Sequence, residues 1–101
     1  MILETAEIAV TPGAGAAFEA AVREAAPLFL ASRGCRGLSL HRVTETPEVY
    51  RLLVRWETLE DHTVHFRGSE AFARWRALAS PHFARAPAVT HSEEALAFEP
   101  G

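Results

Sequence analysis

Residues 61–66 read Asp-His-Thr-Val-His-Phe and place two of the chain's five histidines three positions apart. Side chains at that spacing are neighbours on a helix. Histidine binds metals through its neutral ring and exchanges protons near neutral pH. His62 and His65 therefore suggest a metal site, a catalytic pair, or two helix residues facing different ways. A zinc-type site needs three or four ligands. Asp61 is the only aspartate, and neither a His-Glu-x-x-His run nor a Cys/His cluster accompanies the pair. His41, His82 and His91 could supply a third ligand only by an accident of the fold, so no metal is expected.

The flanking residues show what must hold the pair in place. Residues 49–57 read as a strand with Tyr50, Leu52, Val54 and Trp56 on one face and Val49, Arg51, Leu53 and Arg55 on the other. The first face reads as core. The second is half charged and must meet solvent, a partner sheet or an acidic group. Thr58-Leu59-Glu60-Asp61 has the form of a capping box, with Asp in place of the usual Glu, and opens a short helix to about Arg67 that Gly68 breaks. Ser69 then caps a helix over about 70–83 with the stripe Phe72, Trp75, Leu78 and Ala79, and Pro81 loosens its end.

Upstream, residues 2–11 form a first strand, with Ile8 and Val10 on one parity and Leu3, Thr5 and Ala9 on the other. Thr11-Pro12-Gly13 ends it and opens a helix to about Ser32 with the stripe Phe18, Val22, Ala25 and Phe29. Pro27 should kink that helix or shift its last turn, and Gly34 caps it. Residues 37–44 are a second strand, turned into the third by Glu45-Thr46-Pro47-Glu48, and residues 88–98 are a last strand. The order β-α-β-β-α-α-β predicts an α+β, ferredoxin-like sandwich: a four-stranded antiparallel sheet with helices on one face. The other face, with Arg51, Leu53 and Arg55, would be bare. A bare, partly apolar face invites a second copy, so a symmetric homodimer packed sheet to sheet is expected.

Composition narrows the class. A chain of 101 residues is one domain, 1–101, with ordinary apolar (49%) and charged (23%) fractions for a globular protein. No apolar run approaches the roughly 20 residues that span a bilayer. The first residues lack the basic and apolar regions of a secretory signal, so a cytoplasmic protein with no membrane partner is expected. Cys35 is the lone cysteine, which forbids an internal disulfide; it reads as a small packed residue. A net charge of −3, with ten scattered arginines and no lysine, gives no reason to expect nucleic-acid binding.

Taken in order, these pieces resemble the antibiotic biosynthesis monooxygenase domain family, whose fold is the dimeric α/β barrel. The first strand with Thr-Pro-Gly and its helix matches the family's opening. Gly34-Cys35-Arg36-Gly37-Leu38 matches its turn into the second strand. Residues 49–75, from the strand ending in Trp56-Glu57 through the His65-Phe66 pair to the second helix, carry the most specific match.

The resemblance implies a fold more firmly than a reaction. Some members oxidise aromatic polyketides or quinols with O₂ and no cofactor. That chemistry needs a base to deprotonate a phenol or enol, an aromatic-lined cavity, and donors for the anion. On this reading His65 is the base or a hydrogen-bond partner, and His62 stands one turn earlier. Trp56, Tyr50, Phe66, Phe72 and Trp75 wall the cavity for a small aromatic ligand, and Arg42 stabilises its anion. No cofactor is then required. The plainer reading makes the aromatic stripe core, His65 a buried hydrogen-bonded residue and His62 exposed. A haem-degrading branch of the family uses a helix His, a strand Trp and a first-strand Asn. This chain has the Trp but no Asn anywhere, so haem chemistry is not expected. A dimeric barrel that binds a small molecule without turnover is the alternative function.

Overall fold

Strand-forming and helix-forming stretches alternate along the chain, and the computed structural model, which describes residues 1–101, follows that alternation. The elements are β1 (Ile2–Ala9), α1 (Gly15–Leu30), β2 (Cys35–Arg42), β3 (Val49–Trp56), a π-helical segment (Asp61–Phe66), α2 (Glu70–Ala79), a 3₁₀ turn (Ser80–His82) and β4 (Ala88–Ser92). The sheet order is β2-β3-β1-β4, and every neighbouring pair is antiparallel. This is the ferredoxin-like α+β fold, with helices on one face of the sheet.

The core is where the periodicities meet. On β3, Tyr50, Leu52, Val54 and Trp56 are all buried, and α1 lays Phe18, Val22, Ala25 and Phe29 against them. Ala6 and Ile8 of β1, Phe66, and Trp75 and Ala79 of α2 complete the cluster. Burial of these large side chains is worth roughly 1.5–3 kcal/mol each and is the main force holding helices to sheet. α1 is rich in alanine, the strongest helix former, and runs through Pro27 on its exposed side to Leu30. Ser69 caps α2 as expected, its Oγ accepting from the Phe72 amide at 3.2 Å.

Two boundaries differ from the sequence expectation by more than two residues. The helix expected over 70–83 stops being α-helical at Ala79 and closes as a 3₁₀ turn, because Pro81 has no N–H to continue the ladder. The last strand ends at Ser92, not residue 98. Its ladder with β1 finishes at Leu3–Ser92, and beyond that point the chain has no neighbouring strand, leaving Leu96 and Phe98 exposed.

The sheet face away from the helices presents Leu3, Thr5 and Glu7 of β1 beside Arg55, Leu53 and Arg51 of β3 in direct register. No element of the chain covers it. No helix is long and apolar enough to cross a membrane.

Candidate functional site

The π-helical segment is fixed at its start by Thr58 and Asp61. The Asp61 amide donates to Thr58 Oγ1 and the Thr58 amide to Asp61 Oδ2, both at 3.2 Å. This is the reciprocal capping box expected from sequence. Asp61 is buried against Gly34, whose φ is +77°; a Cβ there would stand 2.0 Å from Asp61 Oδ2. Glycine is required at 34 on both counts. The Arg33 guanidinium faces the same carboxylate at 3.4 Å.

The widened turn decides which histidine faces inward. The Arg67 amide donates to the His62 carbonyl, five residues back, at 3.1 Å. A π turn holds more residues than an α turn, so side chains four apart fall on one face and those three apart do not. His62 and Phe66 are buried together, whereas His65 is exposed. The expectation of a buried, hydrogen-bonded His65 is therefore corrected, and so is that of an exposed His62. His65 borders only a shallow polar recess beside Arg33, Glu57 and Asp61.

His62 sits in a line of polar groups at the sheet's inner face. Its ring stacks on Trp56, with centroids 5.4 Å apart and planes 16° from parallel. Its Nε2 is 3.3 Å from Glu4 Oε1, and the Trp56 indole N–H donates to the same oxygen at 2.9 Å. On the other side, His62 Nδ1 shares a proton with His91 Nε2 at 2.7 Å. Glu4 comes from β1, Trp56 from β3 and His91 from β4, so three strands and the π segment converge here. No three His, Cys, Asp or Glu side chains are grouped to hold a metal ion.

Burial shifts both partners toward their neutral forms. It raises the Glu4 carboxyl above the usual range, against the pull of the Trp56 N–H and the Arg67 charge. It lowers His62 to about 4, with Arg67 and His91 adding to the effect. His62 is neutral at pH 7. Every buried side-chain nitrogen or oxygen has a hydrogen-bond partner. Glu4 Oε2 has none, so that oxygen is open to the space beside it.

That space is a cavity of about 170 Å³ between the sheet and the C-terminal helices. Glu4 and His62 form its polar wall, and Phe66, Phe72, Trp75 and Phe83 bring aromatic rings. Arg67 and Arg76 also line it, and with Val89 they are its exposed members, so they mark the mouth. Of the residues expected from sequence, His62, Phe66, Phe72 and Trp75 meet here. Trp56 stands behind His62, not on the cavity wall. Tyr50 and Arg42 lie elsewhere: the Tyr50 hydroxyl donates to Glu19 Oε2 at 2.7 Å, and Arg42 pairs with the same carboxylate. They line a separate, open recess with Gly15 and Pro47.

A family model described as antibiotic biosynthesis monooxygenase matches residues 1–88. The chain belongs to the antibiotic biosynthesis monooxygenase family. A candidate antibiotic biosynthesis monooxygenase from Bordetella bronchiseptica, solved by crystallography, shares 48% identity and superposes with a TM-score of 0.93, over 94% of this chain and 97% of that one. The uncharacterized Bacillus subtilis protein YczJ is 39% identical over 94 residues, 93% of this chain and 99% of its own. The Mycobacterium tuberculosis protein Rv0793, at 24% identity and a TM-score of 0.76 over 94% of this chain and 98% of its own, shows the shared fold alone.

Sequence reading missed Glu4, His91, Arg67 and Arg76 in this family member. Glu4 had a usable signal: it is the one charged residue in the parity Ile2, Glu4, Ala6, Ile8, Val10. A charge in an otherwise apolar strand face needs a partner, and here the partners are Trp56 and His62.

Proposed function

We propose that the cavity is an active site for cofactor-free oxygenation of a small aromatic quinol by O₂. The observation that carries this reading is the buried Glu4–His62 pair on the wall of an aromatic-lined cavity. A void of about 150 Å³ in another protein takes up benzene, so a cavity of about 170 Å³ suits a single ring.

In this mechanism the quinol hydroxyl meets the open Oε2 of ionised Glu4. A carboxylate with a raised pKa is a stronger base than an ordinary one, closer to the pKa of the proton it removes. With Glu4 ionised, His62 carries its proton on Nε2, donates to Oε1 and accepts from His91. When Glu4 gains the substrate proton on Oε2, its Oε1 still accepts from His62 Nε2, so the imidazole holds the carboxyl in place in both protonation states. Glu4 thus stores the proton at the cavity wall, and His62, which steadies it, is itself held by half-buried His91. Arg67 offsets the negative charge that develops on the ring. The quinolate passes one electron to O₂, and the radical pair recombines at a ring carbon beside the oxygen. The peroxide takes the stored proton back from Glu4 and then loses water. One quinol and one O₂ give one hydroxyquinone and one water. His62 takes the role expected of His65, acting through Glu4.

The reading includes a homodimer, packed through the bare sheet face around Leu3, Thr5 and Leu53. Half-buried apolar side chains flanked by Arg51, Arg55 and Glu7 suit a partner with the same face.

One observation favours a second reading, binding without turnover: both ring nitrogens of His62 already have partners. An oxygen electrode with a panel of single-ring quinols separates the two. Uptake of one O₂ per quinol, with the hydroxyquinone seen by absorbance, supports the oxygenase. Saturable binding with no uptake supports the binder.

A further inference from the structure

We infer that the ring taken by this cavity carries a carboxylate, held at the mouth by Arg67 and Arg76. The inference rests on the reading of the cavity as an aromatic-ring site and names the class of ring.

Five of the ten arginines are paired with carboxylates: Arg33 with Asp61, Arg36 with Glu57, Arg42 with Glu19, Arg51 with Glu7 and Arg74 with Glu24. Arg67 and Arg76 have no such partner, although acidic residues outnumber basic ones and the chain carries a net charge of −3. They come from different places, one just after the π-helical segment and one within α2, yet both line the same cavity. Glu4 is the only other formally charged residue in the lining. Two guanidiniums and one carboxyl give a lining charge of +1 when Glu4 is ionised and +2 when it is protonated. A positive, apolar-walled cavity has therefore been built into an acidic protein.

The placement of those charges selects the ligand. The aromatic walls are buried or half-buried, while both guanidiniums are exposed. An aromatic acid matches that gradient: its ring leaves water and its carboxylate stays at the wet rim. A planar guanidinium meets a carboxylate through two parallel N–H···O bonds. With the carboxylate anchored at the rim, a ring hydroxyl points inward toward the open oxygen of Glu4. The ligand class is a hydroxylated benzoate-type acid with one ring.

Calorimetric titration with 2,5-dihydroxybenzoate, its methyl ester and hydroquinone under anaerobic conditions tests the inference. The acid should bind at least about tenfold tighter than the ester, and added salt should shrink the difference. Arg76→Gln and Arg67→Gln should each reduce that ratio toward unity. Arg85→Gln, which alters an exposed arginine outside the cavity, should leave it unchanged. Equal affinity for acid and ester in the wild-type protein overturns the carboxylate inference and leaves the ring site standing. Absence of binding by all three overturns the ring site and the inference with it.

Discussion

His62 and Trp56 lie nearly parallel, 16° apart with centroids at 5.4 Å, and each points a ring nitrogen at the same oxygen, Glu4 Oε1. The stack orients the imidazole, and the indole N–H holds the carboxylate. A buried acid thus stands between two fixed nitrogens with its second oxygen left open to the cavity.

The shared oxygen makes Trp56 more than a packing residue. Trp56→Phe keeps an aromatic ring but removes the N–H that Glu4 accepts, and it leaves space beside β1. The combined loss should be about 3 kcal/mol, from a lost hydrogen bond to a buried carboxyl and incomplete packing. Urea denaturation should show a lower midpoint with an unchanged slope. A midpoint equal to wild type would mean that the bond contributes nothing.

Stability should depend on pH through His62 and Glu4 with opposite signs. The folded-state pKa of His62 is depressed to about 4 from 6.5. As pH falls below 6.5 the unfolded chain takes the proton first, so stability declines until about pH 4, by about 3 kcal/mol in all. Above 6.5 His62 contributes no slope. The Glu4 carboxyl is raised; as pH rises past 4.5 the unfolded chain releases that proton first, and stability falls until the folded pKa is passed. Denaturation midpoints from pH 4 to 8 should therefore change oppositely in two variants. His62→Phe should flatten the loss on the acid side, and Glu4→Gln should remove the loss on rising pH.

Gly34 sets the position of the π-helical segment from outside the site. Its positive φ and the contact with Asp61 mean that Gly34→Ala must both strain the backbone and push Asp61 from its capping box. A cost of at least about 2 kcal/mol is expected, with altered near-ultraviolet circular dichroism as the His62–Trp56 stack shifts. Wild-type stability in Gly34→Ala would show that Asp61 relaxes freely.

Much of this architecture was legible from periodicity. The two-residue alternation of β3 and the helical stripe Phe18, Val22, Ala25, Phe29 are strong because one buried face repeats through each element. The capping box at Thr58–Asp61 and the Ser69 cap were legible because each is a local bond between near neighbours. The site was harder to read. The choice between His62 and His65 turns on a π turn, and an α-helical spacing puts both on neighbouring positions. Tyr50 shares a strand face with Trp56, yet its hydroxyl lies at the other end of β3 beside Glu19. Glu4 and His91 reach His62 only because β1 pairs with both β3 and β4. Such pairings are tertiary facts.

The bare sheet face should be covered in solution. Light scattering should give twice the 11.1 kDa chain mass, and Leu53→Arg, which adds a charge between Arg51 and Arg55, should shift the protein toward monomer. A wild-type mass near 11.1 kDa would leave the face open to solvent.

The central claim is that His62, through Glu4, serves the cavity and that His65 does not. Oxygen uptake with a single-ring quinol, compared among wild type, His62→Phe, Glu4→Gln and His65→Ala, tests it most directly. Uptake should fall by about a hundredfold or more in the first two variants and stay at the wild-type rate in His65→Ala, with all four proteins folded by circular dichroism. Uptake that survives loss of His62 and Glu4 but is lost in His65→Ala would contradict the account.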